Sequence, residues 1–179
     1  MNMLTRFAPD LELAKTSDGR TVCGLICPFD SVAMVDDGAG PYKESFRFGA
    51  FAKTIAERGD KVKFLSHHNK SVNPLGRASL LREDTAGVWG EFYVSKTQAG
   101  DEALELVKDG VLDSFSVGFA PIRAARNTAT GVLERTEVAL RETSLVTFPA
   151  YTGAQVASIR EETASGLLIA DAMARLEAI

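Results

Sequence analysis

Three residues far apart in the chain have the types that together cleave an acyl bond: a hydroxyl at Ser116, an imidazole at His68 and a carboxylate at Glu142. In "DSFSVGF", residues 113–119, strand alternation gives Phe115, Val117 and Phe119 one face, which must be core. Ser116 then turns the other way, beside Ser114 and Gly118. Gly118 leaves room for a second backbone, so this face reads as a groove for an extended chain. In "KVKFLSHH", 61–68, His68 shares a face with Val62, Phe64 and Ser66. In "EVALRETSLVTF", Glu142 shares one with Val138, Leu140, Ser144, Val146 and Phe148. A carboxylate on an otherwise apolar face is costly unless it is paired, and His68 is the obvious partner. A carboxylate that orients, an imidazole that takes a proton and a hydroxyl that attacks are the parts of acyl transfer.

Each residue also has a plainer use. The Ser116 hydroxyl could bond backbone, His68 could be a surface or hydrogen-bonded histidine, and Glu142 could bridge Arg141 or Arg135. Alternation alone does not bring the three together, because one bulge inverts a face.

Other chemistry fits less well. Cys23 and Cys27, in "CGLIC", lie roughly 13 Å apart if they share a strand, and a disulfide needs Cα atoms within about 7 Å. A structural zinc needs four ligands, whereas the histidines are two and adjacent. An apolar run also raises a thiol's pKa and blunts it as a nucleophile. An α/β-hydrolase elbow requires glycine two residues before the serine, and Ser114 stands there. No metal or cofactor is called for.

The elements that must carry these residues follow from pattern. "RTVCGLICPF" (20–29) is β-branched and apolar and stops at a proline, which predicts a strand; residues 30–42 read as a loop. A short strand, a break at Gly49 and a helix of about two turns ending at Gly59 come next. Residues 61–68 alternate as a strand, and 77–95 read as a β-hairpin turning at "DTAG". "KTQAGDEALELVKDG" (96–110) is the best helix, with Ala103, Leu104, Leu106 and Val107 as its stripe and Gly110 as its stop. The serine strand follows, then a polar excursion over 123–131 and a long alternating run over 132–150. Strands mostly succeed one another without an intervening helix, which favours an antiparallel sheet or barrel with helices outside it.

Composition sets the class. The chain has 179 residues, 45% apolar and 25% charged, which suits one domain with a proper core. A net charge of −4 lends no support to a nucleic-acid partner. No apolar run approaches a membrane span, and "MNMLTRFAPDLELAKTSDG" lacks the apolar stretch of a signal peptide. A cytoplasmic protein without a membrane partner is expected. The expected division is a domain over 1–152 and a helical tail over 153–179, which could dock to a partner or be trimmed.

Taken in order, "FGAF", "HHN" followed by "PLGR", "DGVLDSFSVGF" and "RETSLVTFPAYTGAQV" resemble the motifs of the prohead maturation proteases of tailed bacteriophages. The resemblance runs over residues 20 to 156. It implies a fold similar to the herpesvirus assemblins: mainly β with α, a single domain with about seven mostly antiparallel strands in a barrel-like core with helices around it. It also implies a serine endopeptidase that cuts scaffold or capsid protein inside the immature shell, in the host-cell cytoplasm. The family's serine falls on Ser116, its histidine on His68 and its third member on Glu142. Backbone N–H groups beyond the serine, Arg123 or Arg77 are candidates for the oxyanion. The rival reading is a catalytically idle capsid-assembly or scaffold-binding module of the same fold, and a homo-oligomer is left open.

Overall fold

The computed structural model describes residues 18–161 apart from 37, 39 and 152. Nine strands form one sheet: β1 (Asp18–Pro28), β2 (Ala33–Asp36), β3 (Pro41–Phe46), β4 (Lys63–Ser66), β5 (Gly76–Glu83), β6 (Gly87–Val94), β7 (Ser114–Arg126), β8 (Leu133–Val146) and β9 (Val156–Glu161). Two helices accompany them, α1 (Ala52–Arg58) and α2 (Gln98–Lys108). The strands run in the order β2-β3-β8-β4-β5-β6-β1-β9, and β7 lies along β8 off this path. Ladders are antiparallel except where β3 and β4 meet β8.

This is the mainly β fold with outer helices expected, with two differences. The described residues form nine strands in place of about seven. Among the described residues no continuous ladder closes the sheet into a barrel; an isolated bridge between Ser114 and Gln155 links the start of β7 to the residue before β9. The extra strand β2 forms inside the segment read as a loop. Its four residues pair with β3, too short a run for alternation to reveal. Strand β9 pairs with β1 inside the stretch expected as a helical tail, and the rest of that expectation, 162–179, lies outside the described residues.

The core is aromatic. Phe64 stacks on Phe92 with centroids 4.6 Å apart, and Phe115 packs against both rings. All three are fully buried, each ring contributing about 2 kcal/mol. Phe64 and Phe115 are the inward neighbours of residues that face the site, so this packing fixes the pitch of β4 and β7. Helix α2 begins at Thr97, whose Oγ1 accepts the Gly100 N–H at 3.1 Å, and stops at Gly110, where φ is +70°. Of its expected stripe, Ala103 and Leu104 are buried, whereas Leu106 stands exposed. No helix among the described residues is long and apolar enough to cross a membrane.

Candidate active site

Strand β8 is the spine of the site. On one edge β4 runs parallel to it, pairing Lys63 with Glu142 and Leu65 with Ser144. On the other β7 runs antiparallel, pairing Gly118 with Glu142 and Ser116 with Ser144. Residues paired in register share a face, so Ser116, Gly118, Glu142 and Ser144 all lie on one side of the sheet. Phe64, Phe115 and Leu145 fill the other.

A bulge makes this possible. Gly118 pairs with Glu142 but Phe119 pairs with Leu140, so Arg141 is an extra residue on β8. Before it, Val138 and Leu140 face the core; after it, Thr143 and Leu145 do. The expected grouping of Glu142 with Val138 and Leu140 is therefore corrected: the bulge turns Glu142 onto the serine's face. The face of Ser116, opposite Phe115 and Val117, is as alternation predicts.

His68 reaches the site by a turn. Strand β4 stops at Ser66, and His67 and His68 both take left-handed conformations, with φ of +50° and +55°. The expected strand through 68, with His68 on the face of Val62 and Phe64, is thus corrected. The His67 N–H donates to Leu145 O at 2.9 Å and the His68 N–H to Ser144 Oγ at 3.0 Å. The ring then lies against Glu142, with Nδ1 2.6 Å from Oε1. The second carboxylate oxygen, Oε2, accepts from Ser144 Oγ at 2.7 Å. Glu142's side chain is 4% exposed and His68's 41%. A buried carboxylate on Nδ1 favours the tautomer protonated there, leaving Nε2 as an acceptor.

Of the three expected residues, His68 and Glu142 are in direct contact. Ser116 sits on the adjacent strand, half-buried, and its hydroxyl makes no hydrogen bond among the described residues. Its neighbour Ser114 is occupied otherwise, donating to Asp113 Oδ1 at 2.7 Å. The start of β7 is pinned on its far edge, where the Phe115 N–H donates to Ala154 O and the Val156 N–H to Asp113 O, both at 2.9 Å.

The residues 10–167 match the model of the family described as Caudovirus prohead serine protease. The chain belongs to that family. It is 28% identical over 153 residues to the prohead protease of Enterobacteria phage HK97, an alignment covering 84% of this chain and 66% of that protein. The chain therefore spans a little under two thirds of that relative's length. The solved capsid assembly protease of bacteriophage T4 superposes with a TM-score of 0.41 at 11% identity, over 73% of this chain and 98% of that one.

The other residues with chemistry to offer lie elsewhere in the chain. Cys23 and Cys27 are both buried in β1, and neither is in a disulfide. Burial first, then the charges of Glu44 and Glu83, pushes the Cys27 thiol well up, which makes it a poor nucleophile. Arg123 is ion-paired to Glu137 at 3.2 Å, seven residues along β7 from Ser116 and so roughly 23 Å away. Arg77 lies on β5, two strands from Glu142 through Lys63, at roughly 10 Å. Among the described residues no cluster of three or more His, Cys, Asp or Glu could hold a metal. The residue that sequence reasoning passed over is Ser144, named only as a neighbour on the face of Glu142. Its spacing of two from Glu142 was the available signal.

Proposed function

We propose that the protein is a serine endopeptidase of phage head maturation, with Ser116 as nucleophile, His68 as general base and Glu142 as the carboxylate that orients the imidazole. The observation that carries this reading is the 2.6 Å bond between His68 Nδ1 and a nearly buried Glu142. That bond leaves Nε2 as the proton acceptor on an imidazole two-fifths open to solvent, beside the strand that presents Ser116. His68 Nε2 takes the hydroxyl proton as Oγ attacks the scissile carbonyl, and Glu142 stabilises the imidazolium. The proton then passes to the leaving amine, and water, deprotonated by the same imidazole, hydrolyses the acyl-enzyme.

Beyond the bridge at Ser114, β7 pairs only with β8 among the described residues. Its outer edge offers N–H and C=O groups to which an extended peptide can add as a strand. The family's description and the name of the HK97 relative support the setting: an assembling prohead in the host cell, with capsid or scaffold protein as substrate.

Co-expression with the cognate capsid protein tests this, comparing wild type with Ser116→Ala by gel and mass spectrometry. Capsid or scaffold protein shortened by wild type and left whole by the variant is expected. Equal shortening by both, or none by either, contradicts it, and an uncut protein that still binds capsid is what an idle assembly module would give.

A further inference from the structure

The His68-bearing turn and the Glu142-bearing strand meet at a single side-chain hydroxyl, that of Ser144. Its Oγ–H donates to Glu142 Oε2 at 2.7 Å, and the same oxygen accepts the His68 backbone N–H at 3.0 Å. The residue is fully buried. Glu142 is consequently held through both carboxylate oxygens, Oε1 by the imidazole and Oε2 by Ser144.

The turn requires such a tie. Two consecutive non-glycine residues at positive φ persist only where surrounding bonds over-determine them. Here the bonds are the His67 N–H to Leu145 O and the His68 N–H to Ser144 Oγ. Ser144 also pairs in register with Ser116 on β7. One hydroxyl therefore lies at the junction of the strand bearing the serine, the strand bearing the carboxylate and the turn bearing the histidine.

We propose that Ser144 is a positioning residue: its hydroxyl fixes the plane of the Glu142 carboxylate and the approach of the His68 ring together. This rests on the reading of Ser116, His68 and Glu142 as a triad. A serine that merely filled space would be replaced by alanine without effect on either partner. Loss of this hydroxyl instead frees one carboxylate oxygen and one strained N–H at once.

The test compares rates of labelling by a fluorophosphonate probe in wild type, Ser144→Ala and Ser144→Thr, each checked for folding by its thermal melt. Wild type must first be labelled at Ser116; failure there overturns the triad reading itself, separately from the role of Ser144. With wild type labelled, Ser144→Ala is expected to react about a hundredfold more slowly, the scale of loss from misplacing a reacting group by about 1 Å. Ser144→Thr, which keeps a hydroxyl, recovers the rate to within about tenfold. Proton NMR supplies a readout that needs no turnover. The downfield signal of the proton on His68 Nδ1, assigned by its absence in His68→Ala, is present in wild type and Ser144→Thr and lost in Ser144→Ala. Wild-type labelling by folded Ser144→Ala, a threonine variant as slow as the alanine one, or survival of that signal in Ser144→Ala would overturn the proposal. If Ser144→Ala does not fold, Ser144→Cys takes its place, since the thiol keeps the volume but is a weak hydrogen-bonding group. Slow labelling of that folded variant supports the proposal and a wild-type rate overturns it.

Discussion

The carboxylate of Glu142 occupies the space that a side chain on Gly118 would need. The two residues are register partners on β7 and β8, and a Cβ built on Gly118 would meet Glu142 Oε1, the atom bonded to His68. Alternation on β7 suggested that the missing side chain makes room for a second backbone. What fills the room is the protein's own acid, folded down beside the serine strand.

Gly118→Ala is therefore expected to damage the site more than the fold. The new methyl drives Glu142 off Oε1's position and breaks its bond to the imidazole, while β7 keeps its ladder. Activity should fall about a hundredfold or more, with stability lowered by about 1–3 kcal/mol through overpacking. Turnover of capsid protein beside a denaturant melt measures both, and wild-type turnover in the variant would refute the role given to this glycine.

The two thiols give a prediction about accessibility. Cys23 and Cys27 are wholly buried in β1, and burial with nearby carboxylates keeps Cys27 protonated. Native protein should resist iodoacetamide, both cysteines reacting only once the chain is unfolded. Rapid alkylation of either thiol in folded protein would place it at a surface and reopen the case for a cysteine nucleophile.

Thr143 offers a gain. The residue faces the core side of β8, in register with Phe64 and Val117, and its buried Oγ1 has no hydrogen-bond partner among the described residues. A buried hydroxyl with no partner costs about 1–3 kcal/mol. Thr143→Val should raise stability by about 1 kcal/mol and leave fluorophosphonate labelling unchanged. A lower melting temperature would mean that the hydroxyl has a partner.

Glu83 gives a pH signature. Its carboxylate accepts the Phe51 N–H at 2.8 Å ahead of α1, and burial raises its pKa above the usual value despite bonds from Phe51 and Gly49. A carboxyl whose folded pKa is raised favours the fold while protonated, so its contribution is lost as pH rises through the unfolded and then the folded value. Glu83→Gln keeps an acceptor and removes the titration. As pH rises from the ordinary glutamate value of about 4.3, wild type should therefore lose melting temperature relative to the variant. A relative gain over that rise would reverse the sign and contradict burial as the cause.

The residues of the proposed site stood out in the sequence because their types are unusual for their surroundings: a serine between core aromatics, an acid in an apolar strand, a histidine closing an alternating run. Their faces were less so. The face of Ser116 followed from alternation, but Arg141 bulges from β8 and reverses Glu142 relative to Leu140, and nothing in "ALRETS" marks that insertion. His68 escaped for another reason. A left-handed turn at two histidines is imposed by bonds to Leu145 O and Ser144 Oγ, partners far along the chain that local pattern cannot see. The hairpin β5–β6 and helix α2 were clear, since glycines and strong periodicity bound them. The short edge strand β2 and the bridge from Ser114 to Gln155 depend on tertiary pairing alone.

The most direct measurement of the central claim is the mass of the protein after reaction with a fluorophosphonate, followed by peptide mapping. Wild type should gain one phosphonyl group, on Ser116, with fluoride released. Ser116→Ala should gain none, and His68→Ala should react more slowly by about two to four orders of magnitude. An unmodified wild type, an adduct on another residue, or equal modification of Ser116→Ala would contradict the account.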